Sequence, residues 1–127
     1  MIKQIALVAL GGSAGSVLRY LASLWVTKQF PYTFPLGTFI VNITGCFIIG
    51  FLLGFSIFQD IRNNELKLLL VVGFCGGYTT FSTFSSESLH LLESGNYWTL
   101  ASYIAGSIVL GLTAVWSGNM LAKIIVQ

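Results

Sequence analysis

The chain has 127 residues, of which 55% are hydrophobic and 8% charged, and its mean hydropathy is +0.85, whereas a typical soluble domain carries about 25% charged residues. Such a balance excludes a soluble globular domain of this size, which could not cover so much apolar surface. The formal net charge of +2 comes from six scattered basic residues and four acids, with no basic cluster to follow a nucleic-acid backbone, so nucleic acid is not an expected partner.

A membrane helix needs about 20 mostly apolar residues, and four such runs follow one another. The first, Ile5 to Val26, is interrupted only by Arg19. Lys3 and the small residues of Gly11 to Ser16 imitate a secretory signal, but the apolar pattern carries on past Arg19, which reads as a retained span. The second run, Leu36 to Phe58, has 23 residues without a charge; the third goes from Leu68 to Ser86 and on through Glu87 to Leu92; the fourth, Tyr97 to Ala122, has 26 residues without one. The connections are Thr27 to Pro35, Gln59 to Lys67 with Asp60, Arg62, Asn63, Asn64 and Glu65, and the turn Glu93-Ser94-Gly95-Asn96. All are short, so neighbouring spans should run antiparallel. No stretch reads as a linker, and residues 1–127 are expected to form one four-span domain.

Both termini then share a side with Lys3, Arg62, Lys67 and Lys123, against Lys28 and Arg19. The bias toward cytoplasmic termini is small, and it fits insertion in both orientations as well as in one. Small residues recur four apart at Gly11 and Gly15, Gly50 and Gly54, Gly73 and Gly77, Ser102 and Gly106, Ala114 and Gly118, which predicts close helix packing. Four helices packed so closely leave no aqueous lumen, and a transport path is expected where two subunits meet.

Cys46 and Cys75 lie in apolar stretches at no metal-site or disulfide spacing, and they are expected to be free thiols packed as small apolar groups. In the third span, Gly73 to Glu87 reads G-F-C-G-G-Y-T-T-F-S-T-F-S-S-E. Gly76-Gly77 weakens the helix at membrane depth, and Thr79 and Thr80 are good caps for a restarting one, so a break is expected there. Breaks in membrane helices survive where protein or a water-filled path satisfies the freed backbone, and in transporters they commonly hold ions. A glycine kink serving packing is the plainer alternative.

From Thr79 to Ser88 seven of ten residues carry hydroxyls, Ser82 and Thr83 among them. The other three, Phe81, Phe84 and Glu87, fall at i, i+3 and i+6 on one helical face. Hydroxyls can hydrogen-bond an ion that sheds water, and aromatic rings present a positive edge to an anion; two phenylalanines at helical spacing also suit a core or lipid-facing role. Asn42, between Val41 and Ile43, fits either an interhelical amide bond or a donor on a polar path. Arg19 favours a structural role. Tyr103, Ser107 and Thr113 add hydroxyls to the fourth span, where a single hydroxyl usually bonds its own backbone.

Three stretches together, G-G-S-A-G-S-V-L-R-Y at Gly11 to Tyr20, P-L-G-T-F-I-V-N-I-T-G at Pro35 to Gly45, and G-G-Y-T-T-F-S-T-F-S-S-E at Gly76 to Glu87, resemble the Fluc (CrcB) family of bacterial fluoride channels over essentially the whole chain. The resemblance implies an all-α membrane protein of four transmembrane helices with a broken third, assembled as an antiparallel, dual-topology homodimer in the bacterial cell membrane. It implies two narrow pores that carry fluoride passively out of the cell. It gives Asn42, Phe81 and Phe84 the role of pore residues, aligns Tyr103, Ser107 and, more loosely, Thr113 with polar positions of the fourth span, and places Glu87 as the acid closing the motif and Arg19 as the first-span arginine. The backbone carbonyls of Gly76 and Thr79 match those that hold a central structural sodium ion, which is not transported. Tyr78, where an aliphatic residue is common, and Cys46, where glycine is common, depart from the pattern.

Two other functions fit less well. A proton-coupled exporter of lipophilic cations needs a carboxylate deep in the membrane, yet the first span has none and Glu87 lies toward the end of the third. An enzyme is not expected, because Glu87, His90 and Arg19 are too few and too scattered for a catalytic constellation.

Overall fold

The computed structural model describes residues 1–59 and 64–127, and every regular element among them is a helix. Asp60, Arg62 and Asn63 of the second connection lie outside the described residues. Four helical stretches are long and apolar enough to cross a membrane: Ile2–Gln29, Leu36–Gly54, Lys67–Glu93 and Tyr97–Val126.

The first is helix α1 (Ile2–Gln29) and the second α2 (Leu36–Gly54). The third is composite. It begins with α3 (Lys67–Cys75), wound as a π-helix, and continues through one α-helical turn over Gly76–Tyr78. Its last part is α4 (Phe81–Glu93), and α5 (Tyr97–Val126) is the fourth stretch. At about 1.5 Å per residue, α1 and α5 are longer than the roughly 30 Å hydrocarbon layer, so they tilt or protrude, whereas α2 matches it.

Helix α2 stops four residues short of the apolar run that predicted it. Phe55 is extended, with φ −84° and ψ 134°, and a separate turn, Ser56–Gln59, follows. The turn after α4 is as the sequence suggests. Gly95 takes φ +77°, a left-handed conformation that glycine adopts at helix ends without steric cost, and α5 starts two residues later.

Packing is most extensive between α2 and α5 and between α1 and α3. Glycines set both. A Cβ at Gly50 would collide with the Val115 carbonyl, and one at Gly118 with that of Phe47; in the other pair, Gly11 and Gly15 meet the carbonyls of Leu69 and Phe74. Backbones approach this closely only where no side chain intervenes, and such contact replaces the hydrophobic drive that lipid removes. Ser102 and Gly106 do not behave this way: Ser102 is exposed, and a Cβ at Gly106 would first meet the Phe39 ring at 3.4 Å.

Candidate functional site

The site forms where the third stretch loses helical geometry. Thr79 (φ −84°, ψ 159°) and Thr80 (φ −150°, ψ 123°) are extended, whereas Gly76 keeps ordinary right-handed helical dihedrals. The non-helical dihedrals thus fall at the two threonines and not at the glycine pair. Thr80 caps α4: its hydroxyl accepts from the Thr83 N–H at 3.2 Å and donates to Thr83 Oγ1 at 3.1 Å, which satisfies one of the open donors of a helix start.

Extended backbone inside an apolar layer needs partners, and two neighbouring helices supply them. Asn42 on α2 grips Thr80 with both ends of its amide, Oδ1 accepting from the Thr80 N–H at 2.8 Å and Nδ2 donating to the Thr80 carbonyl at 3.0 Å. In an unbroken α-helix that N–H would bond the Gly76 carbonyl. Arg19 on α1 donates from Nε to the Gly77 carbonyl at 3.0 Å, the structural role its sequence position favours. Thr79 bonds back to the Cys75 carbonyl through its N–H at 3.0 Å and its hydroxyl at 2.9 Å.

An open-sided groove of about 500 Å³ lies against this region. Asn42, Phe81, Phe84 and Ser107 line it, together with Gly76 and Thr79. The Phe81 and Phe84 rings sit 5.8 Å apart between centroids, tilted by 37°, and Phe81 is 79% exposed. Asn42 uses one N–H on Thr80 and an amide has two, so one donor is left over on a residue that lines the groove, as Ser107 also does. Cys46 and Cys75 also line the groove as free thiols.

The other candidates lie apart from that groove. Glu87 is the hub of a separate network: Oε1 accepts from Thr38 Oγ1 and Oε2 from the Tyr103 hydroxyl, each at 2.7 Å. Tyr103 is fully buried, and its ring lies 5.0 Å from that of Phe84 between centroids, tilted by 51°, which links the network to the groove. Thr83 joins Arg19, Ser16, Ser23 and Thr38 around a second cavity of about 420 Å³. Ser82 and Thr113 are exposed, and Thr113 donates to its own helix at Val109. His90, also exposed, lines a cavity with Glu87 near the end of α4.

Sequence reasoning passed over Thr38 and Thr44. Thr38 is the buried polar side chain of α2, one turn before Asn42 and on the same face. That hydroxyl in an apolar run was the available signal. Thr44 carries the same signal, but its partner, the Tyr78 hydroxyl at 2.9 Å, comes from a distant part of the chain and could not be read from it.

Comparison with known proteins gives the family. The family described as CrcB-like protein, Camphor Resistance (CrcB), matches residues 6–119. Among relatives, a protein named fluoride-specific ion channel FluC from Flavobacterium psychrophilum is 47% identical over 96% of this chain and 98% of its own. Proteins of the same name from Phocaeicola vulgatus and Stutzerimonas stutzeri are 50% and 42% identical, covering 96% and 98% of this chain and 100% of their own lengths. With a match of this length and four apolar spans, the chain is a multi-pass bacterial membrane protein and belongs to the CrcB family.

Proposed function

We propose that the protein is a fluoride-specific ion channel, not an enzyme, that passively exports fluoride and lowers its toxic cytoplasmic concentration. The observation that carries this reading is the groove in which Asn42, Phe81, Phe84 and Ser107 converge beside the extended Thr79 and Thr80. Fluoride is small and strongly hydrated, so it can enter only where donors replace its water. The free Asn42 N–H, the Ser107 hydroxyl and the positive edges of two rings are such donors, and a narrow path disfavours the larger chloride. Hydrogen fluoride crosses membranes as a neutral molecule and dissociates inside, so an open path driven by the membrane potential drains the anion.

The groove is open on one side and Phe81 is largely uncovered. In this reading the 1–127 domain pairs with an oppositely oriented copy that closes the groove, giving two pores per homodimer in the bilayer, with the third span a broken membrane helix. In this reading Glu87 and Tyr103 supply further polar groups next to the groove, through Phe84, and Ser82, Thr83 and Thr113 supply theirs farther along the path. The carbonyls of Gly76 and Thr79 suit a sodium ion. Asn42 has taken the N–H that would otherwise occupy Gly76, and a Cβ at Gly76 would meet nothing within 4 Å, so its side of the turn is open. A cation there supplies fixed positive potential without being transported.

Purified protein in liposomes should release fluoride and retain chloride. Equal release of both anions, or of neither, rejects the reading. Phe81→Ile keeps apolar bulk but removes the ring edge, and fluoride flux should fall between about twofold and tenfold; an unchanged rate would leave Phe81 a packing residue. A reporter fused to the C-terminus should detect both orientations of the chain in the membrane, and a single orientation would exclude the antiparallel pair.

A further inference from the structure

Tyr78 is the last residue with helical geometry before the extended pair, and it is 7% exposed. Its ring lies parallel to that of Phe74, 5.9 Å between centroids and 5° between planes. Gly45 and Gly15 leave it little room, since a Cβ at Gly45 would stand 3.1 Å from Tyr78 Cδ1 and one at Gly15 2.8 Å from the Tyr78 nitrogen. The hydroxyl sits 2.9 Å from Thr44 Oγ1. Thr44 gives its own proton to the Ile40 carbonyl at 2.8 Å, so Tyr78 is the donor and Thr44 the acceptor.

This bond completes a set of three. Gly77 is held from α1 by Arg19, Tyr78 from α2 by Thr44, and Thr80 from α2 by Asn42. Thr79, between them, bonds only backward, to Cys75, among the described contacts. The direction of its carbonyl is therefore set by the ties on either side. An aliphatic residue at position 78 could fill the space but could not make the polar tie.

We propose that the Tyr78 hydroxyl, anchored on Thr44, is a positioning residue that aims the Gly76 and Thr79 carbonyls for the sodium ion; this rests on the sodium site proposed above. Without the bond the turn spends less time in the cation-ready arrangement, and apparent affinity falls by the fraction lost. A single neutral hydrogen bond corresponds to about a fivefold effect.

The test is the sodium-dependent Tm of the purified full-length protein together with fluoride flux from liposomes holding it, each measured against sodium concentration with a large organic cation as replacement. Tyr78→Phe keeps the ring and its stacking; Thr44→Val removes the acceptor from the other side at equal volume; Thr44→Ser retains it. Tyr78→Phe and Thr44→Val should each raise the half-maximal sodium concentration about fivefold, with flux at saturating sodium preserved, and the double variant should be no worse than either single one. Thr44→Ser should keep the parental value. A sodium-dependent parent whose Tyr78→Phe and Thr44→Val variants keep its half-maximal concentration overturns this proposal alone. A parent indifferent to sodium after long depletion overturns the sodium site and this proposal together.

Discussion

Asn42→Asp is expected to abolish fluoride flux. The substitution puts an acceptor oxygen where Nδ2 now donates to the Thr80 carbonyl at 3.0 Å, so two oxygens face each other at the extended turn. It also deletes the second amide N–H of a residue that lines the groove, and an ionised carboxylate there would repel an anion. Loss of the bond and the unsatisfied Thr80 carbonyl together cost on the order of 3 kcal/mol, roughly a hundredfold in population of the competent turn. The measurement is fluoride efflux from liposomes, with size-exclusion in detergent to check that the protein still assembles. Retained flux would remove Asn42 from the path and would also show that its grip on Thr80 is dispensable.

Adjacent glycines should respond in opposite ways to added bulk. At Gly77 a Cβ would stand 2.5 Å from the Gly12 carbonyl and 3.0 Å from its Cα. Gly77→Ala must therefore push α1 away, an overpacking cost of about 1–3 kcal/mol, visible as a lower yield of folded protein. At Gly76 nothing within 4 Å opposes a side chain. Gly76→Val should leave the subunit folded and still lose at least about tenfold in flux, because its bulk enters the space assigned to the partner subunit and the cation. A Gly76→Val protein that remains dimeric and conducts would reject that assignment.

Much of the architecture was legible in the residues because each cue acts locally. Four apolar runs of membrane length became four helical stretches, and the Gly95 turn and the Thr80 cap fell where their chemistry predicts. Arg19 was recognisable as a structural charge, since an arginine inside an apolar run must find an acceptor. Glycines at four-residue spacing marked the helix contacts that need the closest approach, although the same spacing at Ser102 and Gly106 marked none.

What tertiary structure decided is which polar groups satisfy one another. Sequence located the weak point at Gly76-Gly77, yet those glycines stay helical and the two threonines extend. The reason is outside the segment: Asn42 offers Thr80 a complete substitute for its helical bonds, whereas nothing comparable faces Gly76. The hydroxyls could not be sorted by position either. Tyr103 and Ser107 are one turn apart, but Tyr103 gives its proton to Glu87 while Ser107 faces the groove. Thr38, Thr44 and Tyr78 gained their partners only when α2 came to lie against the third stretch. Composition and periodicity determine that a segment enters the membrane and which side it packs on, because those depend on free energies summed along the chain. A hydrogen bond between residues 34 to 58 positions apart depends on the relative placement of two helices, which no local pattern encodes.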